Sequence, residues 1–132
     1  MFGIRGFTLL EIIITVIILG ILVSIALPNY LKAKEKALDK EAIANLKLIR
    51  SAEITYRMEW GSFYPSAGSE SNIANINSNL KLALPSGSNR NWNYTVWNSG
   101  CARATRNGAD GRSWYLTIND ADEEPDPGLG CP

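Results

Sequence analysis

From Phe7 to Leu27 the chain is apolar in every direction around a helix, with one carboxylate, Glu11, near the start. A run of roughly twenty such residues, at ~1.5 Å of rise each, covers a hydrocarbon core of ~30 Å and predicts a membrane-crossing helix. From Asn29 to Trp60 the pattern changes. Leu31, Leu38, Ala42, Leu46, Ile49, Tyr56 and Trp60 recur at three- and four-residue steps with charges between them, the stripe of an amphipathic helix. Ile43 and Ile54 widen the stripe, and Glu53, which interrupts it, is expected to look away. One long helix of two characters follows, an apolar half over residues 7–28 and an amphipathic half over residues 29–60. Gly20 and Pro28 interrupt it. Proline lacks the backbone donor and crowds the preceding turn, which predicts a bend or local loosening there.

Residues 61–132 read as a separate head. Gly61 to Asn91 is rich in Ser, Asn, Gly and Pro and marks a long connection. Within it Ile73, Ile76, Leu80 and Leu84 fall at helical spacing before Pro85, predicting a short helix. The period then becomes two. Trp92, Tyr94 and Val96 alternate with Asn93, Thr95 and Trp97; Cys101 to Arg106 forms a second run; Trp114, Leu116 and Ile118 alternate after the turn signal Asn107-Gly108-Ala109-Asp110-Gly111. Three short antiparallel strands packed on the amphipathic helix make an α+β head.

Composition narrows the chemistry. The 132 residues fit one domain with an appended helix. Thirteen basic and 13 acidic side chains cancel, which gives no electrostatic basis for strong nonspecific nucleic-acid binding, and no sequence-specific nucleic-acid partner is expected. The chain has no histidine, so Ser-His-Asp and Cys-His catalysis and His-ligated metals are excluded. No nucleophile motif stands in their place, and no enzyme is expected. Val23 to Leu27 makes a poor signal-peptidase site, and the helical pattern continues past it.

The head of the apolar run, Gly6-Phe7-Thr8-Leu9-Leu10-Glu11 after Arg5, resembles the N-terminus of type IV pilins and of type II secretion pseudopilins. The resemblance covers roughly the first sixty residues. It implies a leader of residues 1–6 cut after Gly6 by a prepilin peptidase, and a new N-terminus at Phe7 that is methylated. It also implies a subunit held in the inner membrane with its head in the periplasm. Inner-membrane assembly machinery then takes it from lipid into a helical filament of copies of itself, either a surface pilus or a short periplasmic secretion filament. A loosening of the helix near Gly20 and Pro28 on entering the filament is implied as well. Against the exported orientation, Lys32, Lys34, Lys36 and Lys40 follow the span, and the positive-inside rule would keep them in the cytoplasm.

Two readings of Glu11 are open. Thr8-Leu9-Leu10-Glu11 is a capping-box pattern, in which Thr and Glu satisfy the free amides of a first helical turn. The rival is intermolecular: cleavage after Gly6 creates an ammonium at Phe7, and a neighbouring copy's Glu11 pairs with it in a bundle of parallel helices. Cys101 and Cys131 lie far from the span. Either they form a disulfide in an oxidising space, worth roughly 3.5–4 kcal/mol in the chain-entropy model, or they are free thiols in a reducing one; export favours the disulfide, and the resembled family closes its C-terminal region in that way.

Three minor candidates remain. Asp110, Asp120, Asp122, Glu124 and Asp126 supply oxygen donors of the kind that hold Ca²⁺. The glycine and distal Glu of an EF-hand are misplaced, and a solvated acidic turn is the plainer reading; no other cofactor is expected. Asn93-Tyr94-Thr95 fits the N-glycosylation pattern inside a predicted strand. Trp92, Trp97, Trp114 and Tyr115 offer stacking faces for a sugar or a base, or are simply the aromatic core of a small sheet. A membrane-anchored binding module is the remote alternative to a filament subunit.

Overall fold

The computed structural model describes residue 3 and residues 6–108, 110–119, 124–128 and 130–132. Helix α1 spans Leu9–Trp60 as one element of 52 residues. The chain divides into two compact units, Met1–Ala37 and Leu38–Pro132.

The first unit is helix and little else. Every described residue from Gly6 to Lys34 is exposed, with Phe7 at 80% and Ile14 at 47%. It is long and apolar enough to cross a membrane. Two of its hydroxyls are satisfied on the helix's own backbone, Thr15 Oγ1 donating to Ile12 O at 2.8 Å and Ser24 Oγ to Ile21 O at 2.7 Å, which is how polar side chains are tolerated in lipid. The helix stays continuous through Gly20 and Pro28. Asn29 Nδ2 donates to Ile25 O at 3.4 Å across the proline turn.

The second unit packs the rest of α1 against a sheet. Ala42, Leu46, Ile49 and Glu53 form the buried stripe of α1, while Tyr56 is half-buried against the core and Trp60 is exposed. Glu53 therefore does not look away: spaced three to four residues from Ile49 and in line with Leu46, it lies in the stripe itself and is 2% exposed. Helix α2, Ile73–Leu80, takes Asn72 as its N-cap, the Asn72 side chain accepting from Ala74 N at 3.0 Å. It stops at Leu80, one turn short of Leu84, because Lys81 turns into the left-handed region at φ 54°. Leu84 still enters the core, since Asn77 clamps its backbone through bonds of 2.9 and 3.0 Å.

The sheet has five antiparallel strands in chain order rather than three: β1 (Ser69–Glu70), β2 (Trp92–Trp97), β3 (Cys101–Arg106), β4 (Ser113–Thr117) and β5 (Asp126–Pro127). The three central strands are those the period-two pattern predicts. The two additions are edge strands of two residues, too short to carry a period, and β5 places its proline on an edge, where no ladder donor is required. Pairings of Tyr94 with Ala104 and Ala104 with Trp114 set the register. The face carrying Trp92, Tyr94, Val96, Ala102, Ala104 and Leu116 joins the α1 stripe and the α2 side chains Ile76 and Leu80 in one hydrophobic cluster. Between β2 and β3, Gly100 at φ 78° closes a turn with its N–H on Trp97 O at 2.9 Å, a conformation that favours glycine.

Candidate assembly site on the apolar helix

Glu11 occupies the third position of α1, and Thr8 precedes the helix as its N-cap. Glu11 Oε2 accepts from Thr8 N at 2.9 Å and from Thr8 Oγ1 at 2.9 Å; Glu11 N donates to Thr8 Oγ1 at 3.3 Å. This is the reciprocal capping box expected from the sequence, and it satisfies two orphan donors of the first turn. Both donors act on Oε2. The carboxylate thus keeps its other oxygen for a second donor while the cap stays intact, so capping and pairing with an ammonium are compatible at one side chain.

The residues expected to be processed lie just ahead of this box. Gly6 and Phe7 are exposed and precede the helix. A Cβ built on Gly6 would meet nothing within 4 Å, so no packing inside the chain requires glycine there. Gly20 likewise has open space around it.

Cys101 and Cys131 form a disulfide, with Cα atoms 5.8 Å apart. It fastens the chain end to the first residue of β3 and resolves the choice between paired and free thiols.

Of the carboxylates proposed for calcium, the described ones, Asp110, Glu124 and Asp126, do not form a cluster among themselves. Asp110 takes Arg112 Nε at 2.6 Å, Glu124 meets Lys47 Nζ, and Asp126 lies in β5. Asp120 and Asp122 lie outside the described residues. Among the described residues no group of three or more metal-ligating side chains converges. Arg112 also grips Asp39 on α1 at 3.0 and 3.1 Å, and Trp114 Nε1 reaches the same carboxylate at 3.4 Å. Nothing in the period-two pattern of β4 signals that network, because it joins residues more than seventy positions apart.

The candidate stacking aromatics are largely engaged. Trp92 is in the core, Trp97 carries the Arg103 guanidinium 4.9 Å from its ring centre, and Tyr115 packs over Gly130. Asn93 of the glycosylation pattern is half-buried in β2 and accepts from Arg90 Nε at 2.8 Å.

Residues 1–27 match the prokaryotic N-terminal methylation motif. The N-terminal region is similar to that of pilins and pseudopilins. Over 62 residues, 47% of this chain and 39% of the relative, it is 42% identical to the type II secretion system core protein G of Pectobacterium carotovorum subsp. carotovorum. The core protein G of Vibrio cholerae is 43% identical over 61 residues, 46% of this chain and 41% of the relative. The type IV major pilin protein PilA of Myxococcus xanthus is 44% identical over 55 residues, 42% of this chain and 25% of the relative. The chain thus spans about two fifths of the length of the secretion proteins it matches and a quarter of the pilin. The pilin-type likeness rests on α1, the element with Glu11 and the uncovered apolar surface.

Proposed function

We propose that this chain is a structural subunit of a helical filament of the type IV pilus class, acting in adhesion, motility or DNA uptake without catalysis. It is anchored in the inner membrane with its head outside the cytoplasm, cut after Gly6 by a prepilin peptidase, methylated at Phe7, and moved by assembly machinery from lipid into a polymer. The observation that carries this reading is a helix exposed on all sides from Leu9 to Leu27, whose one charged side chain is a capped carboxylate. In lipid that surface is satisfied. Out of lipid it must be buried, at ~25 cal/mol per Å², and copies of the same helix supply the matching surface. A lone Glu in such a segment costs roughly 2.5–3.5 kcal/mol at mid-membrane and less near an end; pairing with a neighbour's ammonium offsets that cost and sets axial register.

A second reading, a major-type pseudopilin forming a short periplasmic filament for protein export, is supported by the likeness to core protein G over the same helix. Sheared surface filaments probed for this chain separate the two: labelled filaments support the pilus, whereas their absence with impaired protein export supports the pseudopilin. Mass spectrometry of the mature chain tests both. A methylated N-terminus at Phe7 is expected, and a chain still beginning at Met1 contradicts the proposal.

A further inference from the structure

Glu53 is a buried acid that the assembly reading does not use. Its side chain lies in the α1 core stripe at 2% exposure. Oε2 accepts the Tyr64 N–H at 2.9 Å, and Oε1 has no hydrogen-bond partner among the described residues. Tyr64 in turn packs edge-on against Tyr56 of α1, ring centres 5.7 Å apart, and its hydroxyl accepts from Asn79 Nδ2 of α2 at 3.2 Å. One carboxyl group therefore holds the point at which the connection out of α1 is tied to both helices.

We propose that Glu53 is a proton-controlled latch on the connection formed by residues 61–68: protonated, it holds that segment against α1 through the Tyr64 amide, and on losing its proton to solvent it lets the segment open. A neutral acid with Oε2 as acceptor leaves only an unpaired hydroxyl at Oε1, a modest cost. A carboxylate costs more, because it leaves a charged oxygen without a donor in the core, and that cost is relieved when the connection lifts and admits water.

Among the described residues no cation pairs with Glu53. On the Tyr64 side of this link the other charges felt come from Tyr56 on α1 and Glu70 of β1, and neither is positive. The α1 arginines one turn away are directed elsewhere, Arg50 Nη2 to Ile118 O at 3.1 Å and Arg57 over the Phe63 ring at 4.8 Å. The core cluster behind the stripe contributes apolar side chains such as Ile49, Ile76 and Val96. Burial raises the acid from 4.5 to about 7, and the Tyr64 amide opposes this only in part. The latch therefore closes below neutrality and weakens as pH rises from about 4.5 through about 7, since the opened segment ionises more readily than the closed one.

The test uses the full chain in detergent micelles. The Glu53 carboxyl is followed by carbon NMR across pH 4–9, and the exchange of the Tyr64 amide, corrected for its intrinsic pH dependence, is measured against that of Ala104 in β3. The expected result is a Glu53 midpoint between about 6 and 8 and a loss of Tyr64 protection exceeding tenfold between pH 5 and pH 7.5. Tyr64 should exchange faster than Ala104 throughout, marking a local opening. Glu53→Gln, which keeps an acceptor but cannot ionise, should reduce the pH effect on Tyr64 to less than about twofold. A Glu53 midpoint below 5, a pH-independent Tyr64 amide, equal rates at Tyr64 and Ala104, or an unchanged pH effect in the Gln variant would each overturn the proposal. The carboxyl titration on the unsubstituted chain keeps the test decisive if the variant folds poorly, and none of these readouts depends on filament assembly.

Discussion

The indole N–H of Trp92 donates to the main-chain oxygen of Leu38 at 2.9 Å, tying the first residue of β2 to α1. The Trp92 ring is 1% exposed and carries the Arg106 guanidinium 5.7 Å from its centre. An aromatic of that size with its one polar atom satisfied joins helix and sheet at the start of the head.

Trp92→Phe keeps a ring but removes the donor and part of the buried volume. The lost hydrogen bond is worth about 0.5–1.5 kcal/mol and the vacated space adds to it, so a total loss of about 2–3 kcal/mol is expected. Denaturant unfolding of the full chain in detergent measures this. A change below about 0.5 kcal/mol would mean that the indole does not bear on head stability.

Gly130 is the second sensitive position. A Cβ there would lie 2.2 Å from Tyr115 Cζ, well inside contact distance, so the chain end can cross the Tyr115 ring only without a side chain. Gly130→Ala should destabilise the head by about 1–3 kcal/mol, the usual range for overpacking. Adding Tyr115→Ala should recover much of the loss specific to Gly130→Ala, because the clash is pairwise. Simple additivity of the two substitutions in unfolding experiments would disprove the clash.

The Cys101–Cys131 bond closes a loop with a sequence separation of 30. Reduction, or replacement of both residues by Ser, should lower head stability by about 2–5 kcal/mol. Thermal unfolding with and without reductant gives the comparison, and superimposable curves would contradict it.

The head should also lose stability as pH rises. Glu53 has its folded-state value raised by burial from 4.5 to about 7, so between those values the folded chain retains a proton that the unfolded chain has released. Its contribution is fully present below about pH 4.5, declines up to about pH 7 and is flat above. Unfolding midpoints measured from pH 4 to 8 should show this decline in the parent chain, and the Glu53→Gln variant should lack that component. Identical pH profiles for the two would place the cause elsewhere.

Much of the molecule was legible from residue order. The two characters of α1, the α2 stripe and the three central strands follow from spacing alone, because burial of one face leaves a period behind. The Thr8–Glu11 cap was readable for the same local reason. Glu53 departs from the expected outward placement because polarity argues for the surface, while its position in line with Leu46 and Ile49 argues for the core; the amide of Tyr64 tips the balance, and it lies eleven residues away in an irregular segment. Strands β1 and β5 have two residues each, too few for a pattern. The Asp39–Arg112–Trp114 contacts depend on tertiary approach, which local sequence does not encode.

In the proposed filament α1 holds the copies together, and the Glu11 charge, beyond its capping role, is required. Glu11→Gln retains an oxygen for Thr8 N and Thr8 Oγ1, so the cap and membrane insertion survive, while the charge pair with a neighbour's ammonium is lost. The direct measurement is electron microscopy of immunolabelled filaments from cells making either chain, with membrane levels matched. Labelled filaments from the parent and none from Glu11→Gln are predicted. Filaments of normal number and length from Glu11→Gln would contradict the account.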